Sequence, residues 1–118
     1  MAGARFSLIE FPADDPDRAR RFWEGVLEEP LADRAEGRGS GRETQGSEPA
    51  VGIHARGAGP GDTWALPYFT VEDMGAALER VRGLAGSVVH SGERWSVCRD
   101  SEGTPFGLAA ATSAEGGS

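Results

Sequence analysis

The sequence predicts an α+β domain built twice over, with helices outside antiparallel-rich sheets. Three observations carry that prediction. Phe11–Leu27 and Phe69–Leu84 read alike: the end of a strand, an acidic turn, then an amphipathic helix. The two candidate caps, Asp15 and Asp73, stand close to half of the 118-residue chain apart. Between and after these stretches, 18 glycines and seven prolines divide the chain into short strands joined by tight turns.

Arg5–Phe11 alternates as a strand, with Phe6, Leu8 and Glu10 on one face and Ser7, Ile9 and Phe11 on the other. Asp15 caps the first helix and Pro16 suits its first position, where no backbone N–H is needed. Ala19, Phe22, Trp23, Val26 and Leu27 form its apolar stripe and are expected in the core. The helix ends before Glu29-Pro30. From Leu31 to Pro49 apolar side chains almost vanish, leaving two readings: an exposed hairpin turning near Gly37–Gly41, or a mobile loop. Ala50–Ala55 reads as a strand.

The first module thus covers about residues 5–55, and a glycine-rich linker covers 56–63. The second module, about 64–111, opens with the strand Trp64–Val71, in which Pro67 marks a free edge nearby. Its helix follows Asp73, with Met74, Ala77, Leu78, Val81 and Leu84 as the stripe. Ser87–His90 and Glu93–Arg99 form a hairpin turning at Ser91-Gly92. Asp100–Gly103 is a turn, Pro105–Ala110 a closing strand, and 112–118 a disordered tail.

Charge and composition exclude several functions. A net charge of −7 disfavours nucleic acid and anionic membrane surfaces, which reward clustered Lys and Arg. No apolar run approaches the roughly 18 residues that span a bilayer, and the first residues lack a signal-peptide core. The single cysteine, Cys98, cannot form an internal disulfide and suits a reducing compartment. A cytoplasmic protein is the expectation.

Three segments, IEFPADDPDRARRFWEGVL, PYFTVEDMGAALERV and RDSEGTPFGL, occur in an order and spacing similar to the vicinal oxygen chelate superfamily. This is the glyoxalase, bleomycin-resistance and extradiol-dioxygenase group. The resemblance implies two βαβββ modules, each curling a small sheet into half of an open barrel around a cavity, and a homodimer. In metal-using members, ligands come from the first and last strands of each module. Carried onto this chain, those positions are Leu8, Gly52, Leu66 and Gly107, none of which offers an N, O or S side-chain donor. No metal or other cofactor is therefore expected.

With that cavity in view, strand parity turns Glu10 and His54 toward it. They read either as an acid–base pair or shifted metal site, or as a histidine at a dimer or sheet edge and a carboxylate bridged to an arginine. A carboxylate among apolar groups needs a raised pKa or a polar partner. Trp64, Tyr68 and Trp95 are not claimed by helix packing, and suit stacking of a flat organic ligand or ordinary packing. His90 reads as a turn residue and Cys98 as a small hydrophobe. The expected ligand-binding set is Glu10, His54, Trp64, Tyr68 and Trp95. A metal-free binder of an aromatic, antibiotic-like small molecule leads, ahead of a lyase or dioxygenase-like enzyme and of a subunit with a vestigial cavity.

Overall fold

The computed structural model describes residues 3–34, 41–46 and 48–111. Among them are eight strands and two helices, divided into two compact units, Leu8–Ala65 and the remainder. The expected tail at 112–118 and most of the expected turn at 37–41 lie outside the described residues.

The first unit holds β1 (Arg5–Ala13), α1 (Pro16–Leu27), β2 (Leu31–Asp33), β3 (Arg42–Thr44) and β4 (Ala50–Ala55), although the first three residues of β1 belong to the second unit. β1 pairs with β4 in parallel, while β3 runs antiparallel to both β4 and β2. This is the βαβββ pattern, and the polar stretch after Pro30 does pair as short strands. α1 starts as its sequence dictates. The Asp15 carboxylate accepts the Arg18 N–H at 3.1 Å, Pro16 follows, and Glu28 ends the helix in the left-handed region at φ 54°.

Its packing differs from expectation. Phe22 is 59% exposed and Val26 58%, so both leave the core to which the apolar stripe assigned them. The face turned inward is Ala19, Arg20, Trp23, Glu24 and Leu27, all half-buried. Trp23 stacks on Phe11 of β1, with ring centroids 4.7 Å apart and planes 15° from parallel. The helix is rotated because polar groups also work on that face: Glu24 accepts the Leu31 N–H at 2.8 Å and so fixes the entry to β2.

The second unit holds β5 (Leu66–Val71), α2 (Met74–Gly83), β6 (Ser87–His90), β7 (Trp95–Arg99) and β8 (Pro105–Ala110). β5 pairs with β8 in parallel from Tyr68 onward, β8 with β7 and β7 with β6 antiparallel. Pro67 precedes the first residue paired with β8, where its missing N–H is not needed. Here the helix stripe is core as read except at its end, where Leu84 is 70% exposed. Ala77 and Leu78 pack with Val71, Cys98 and Leu108, and Met74, Val81, Phe69 and Phe106 close around them. Asp73 caps α2 by accepting the Ala76 N–H at 3.0 Å. The Ser91-Gly92 turn is held by Ser96, whose hydroxyl accepts the Gly92 N–H at 3.1 Å. No helix of the described residues is long and apolar enough to cross a membrane.

Candidate ligand-binding site

The first unit buries charge. Glu10, Gly52 and Glu43 are register partners across β1, β4 and β3, so two carboxylates flank a glycine in one row of the sheet. Glu10 is 7% exposed and Glu43 6%. Isolated carboxylates at that depth would cost several kcal/mol, so a cation must join them. Arg34, just past β2, reaches over Gly52 and supplies it. Its guanidinium donates to Glu10 Oε2, and its Nε lies 3.3 Å from Glu43 Oε1, an ion pair without hydrogen-bond alignment. Gly52 makes this possible: a Cβ there would come within 2.9 Å of both Arg34 Nη2 and Glu10 Oε2.

His54 completes the group. Its Nδ1 lies 2.9 Å from the Ala55 carbonyl, which can only accept, so Nδ1 carries a proton. Nε2 then faces Glu10 Oε1 at 3.8 Å. Counting formal charges, the two carboxylates outweigh Arg34 by one when His54 is neutral. Burial pushes the Glu10 carboxyl above its ordinary range, against the opposing pull of Arg34 and His54. Glu10 thus has both features that strand parity allowed for it, a raised pKa and an arginine partner.

The corresponding place in the second unit is built differently. Tyr68 stands as far ahead of Asp73 as Glu10 does ahead of Asp15, and its register partner is Gly107. The Tyr68 ring lies over that glycine, so a Cβ at 107 would overlap it. The other two carried-over positions hold Leu66, 2% exposed, and Leu8, whose Cδ1 leans on Gly52. The residues present do not fit a metal at the superfamily's positions: two are glycines whose side-chain space neighbours already occupy. Among the described residues, no group of three or more His, Cys, Asp or Glu side chains is placed to hold a metal ion.

Of the remaining expected residues, Trp64 belongs to the first unit and Trp95 to the second. Trp64 is half-buried in a turn before β5 and not on the strand, its backbone N–H donating to the Gly61 carbonyl at 3.3 Å. Trp95 begins β7, is 39% exposed, and rests against His90 with ring centroids 4.5 Å apart. The structure therefore joins Glu10 with His54 and adds Arg34 and Glu43, which sequence reasoning missed. Their signal lay in the pairing of β2 with β3, which brings residues from either side of a polar stretch over Gly52. Cys98 is buried in the second core, and burial pushes its thiol pKa up.

A profile for a glyoxalase-like domain matches residues 8–109. The chain belongs to this family. With it comes membership of the vicinal oxygen chelate superfamily, as the three sequence segments implied. No curated protein matches the sequence. Among solved structures, the NAD-dependent benzaldehyde dehydrogenase structure from Legionella pneumophila superposes with TM-score 0.69 at 10% identity, over 89% of this chain and 98% of that one. A hypothetical protein from Bacillus halodurans gives 0.69 at 9%, over 94% and 96%. Methylmalonyl-CoA epimerase from Mycobacterium tuberculosis gives 0.62 at 15%, over 98% and 92%. Identities this low speak to the shared glyoxalase-like fold and not to a shared reaction.

Proposed function

We propose that this glyoxalase-like protein is a metal-independent binder of a small, flat, partly polar organic molecule of the antibiotic type. The observation that carries the reading is the filling of Gly52 and Gly107. Where metal-using relatives are expected to place carboxylate ligands, this chain has an Arg34–Glu10 pair over one glycine and a Tyr68 ring over the other. A guanidinium held by two carboxylates, with His54 beside it, offers fixed hydrogen-bonding groups without a metal. Glu10 and His54 are the proposed polar contacts in the first unit. Trp64, Tyr68 and Trp95 are proposed aromatic contacts on their chemistry alone, each open to substitution.

Two measurements test this. Elemental analysis after dialysis against chelator should find well under one Zn, Fe, Mn or Ni per chain. A thermal-shift screen of aromatic natural-product-like compounds should find a ligand that raises Tm by mass action without being turned over. One retained metal per chain would overturn the reading.

The Glu10–His54 contact favours a second reading, a lyase or dioxygenase-like enzyme. Turnover of a screened ligand that is lost in Glu10→Gln would select it. We further propose a cytoplasmic homodimer, for which sedimentation at micromolar concentration should give about twice the 12.4 kDa chain mass.

A further inference from the structure

We propose that the first unit carries a separate site for a small planar aromatic carboxylate, in the cleft where β1 meets the start of α1. The cleft is open to solvent and measures about 370 Å³, the size of a one- or two-ring molecule. Its apolar wall is Pro12, Ala19, Phe22 and Trp23. Phe22 is 59% exposed, a large apolar surface left uncovered beside a half-buried indole. The two rings meet edge to face at 5.2 Å, and Phe11 covers one face of Trp23. That arrangement holds the indole rigid, so a ligand ring meets a preformed surface.

The rim carries Asp14 and Asp15 against Arg18 and Arg56, and the sign of the ligand follows from which of these charges is already engaged. Asp14 is engaged by Arg56, Nε to Oδ1 at 2.8 Å. Asp15 is engaged as the cap of α1, so its oxygen is turned to the backbone. Arg18 is exposed, and its guanidinium makes no ion pair among the described residues. A planar carboxylate can take both its donors at once, and the positive end of α1 adds to the attraction. These residues do not overlap the Glu10–Arg34 group, so the inference stands apart from the proposed function.

The probe is 2-naphthoate, with 2-naphthalenemethanol as its uncharged counterpart. Titration of the wild-type protein, followed by amide and indole NMR shifts, should move Ala13, Arg18, Ala19, Trp23 and Arg56, and leave Gly52 and His54 in place. Arg18→Gln should weaken naphthoate at least fivefold while leaving naphthalenemethanol unchanged. Phe22→Ala should weaken both probes several-fold, without loss of fold because Phe22 is exposed. Shifts mapping elsewhere, equal binding of the two probes, or an Arg18→Gln protein that binds naphthoate as wild type would each overturn the proposal. So would a dimer that Phe22→Ser dissociates, since a second copy would then be the occupant of this face.

Discussion

Replacing Arg34 with alanine tests whether the first unit depends on buried charge. The side chains of Arg34, Glu10 and Glu43 are 10%, 9% and 7% exposed, so removing the guanidinium strands two carboxylates in a place water barely reaches. Losing one partner of a buried ion pair costs about 3–5 kcal/mol, against a total stability of about 5–15 kcal/mol for a domain. At roughly 4 °C per kcal/mol for a chain of this size, Tm should fall by about 12–20 °C. The measurement is urea unfolding followed by far-UV circular dichroism at pH 7.5, where carboxylates in solution are ionised. The companion variant replaces Glu10, Arg34 and Glu43 together by methionine. Removing both carboxylates with the guanidinium leaves no stranded carboxylate, so it should unfold within about 2 kcal/mol of wild type or above it. A cost below about 1 kcal/mol for Arg34→Ala would put the pair on the scale of a solvated surface bridge and refute the argument.

Glu10 gives a pH signature. Its folded-state pKa is raised above the ordinary 4.5, so the native state keeps a proton that the unfolded chain has released. Its contribution to stability is full below about pH 4.5 and is lost as pH rises through the raised value. Glu10→Gln should flatten the stability curve in that window, and an unchanged slope would assign it to another group. In the second core, Leu78→Ala should cost about 2–5 kcal/mol, whereas Phe22→Ala should stay within about 0.5 kcal/mol. Equal costs in an unfolding titration would contradict the burial of the two helices.

The elements were legible because each carries its own local chemistry. Asp15-Pro16 and Asp73 announce helix starts through capping, and Ala50–Ala55 and Pro105–Ala110 are strands at the residues expected. What the sequence hid was pairing. Among the described residues of the stretch from Leu31 to Pro49, Leu31 is the buried apolar one, while Glu43 and Thr44 are buried and Arg34 half-buried, and charge in a core is invisible to hydrophobic periodicity. The same blind spot misplaced Phe22. A helical stripe shows which residues share a face, but not whether a polar anchor such as Glu24 has turned that face aside. Glu10 and His54 were found by parity, which survives without knowing the partner strand. Arg34 and Glu43 needed the register of β2, β3 and β4.

The two units solve one backbone problem with opposite chemistry. In each, the last strand brings a glycine beside the first, and the first-strand residue at the same distance from the capping aspartate covers it. Over Gly52 that residue is Glu10, which must recruit Arg34 and with it Glu43 and His54. Over Gly107 it is Tyr68, whose ring fills the space with carbon and needs no counterion. The first arrangement depends on pH and on every partner being present. The second depends only on fit. Stability should therefore be anchored in the second unit, where Val71, Leu78, Cys98 and Leu108 make an apolar core. The first unit buries Ala13, Leu31 and Ile53 together with its set of charges. Buried charge contributes little net stability, and its retention there is what the proposed binding role calls for.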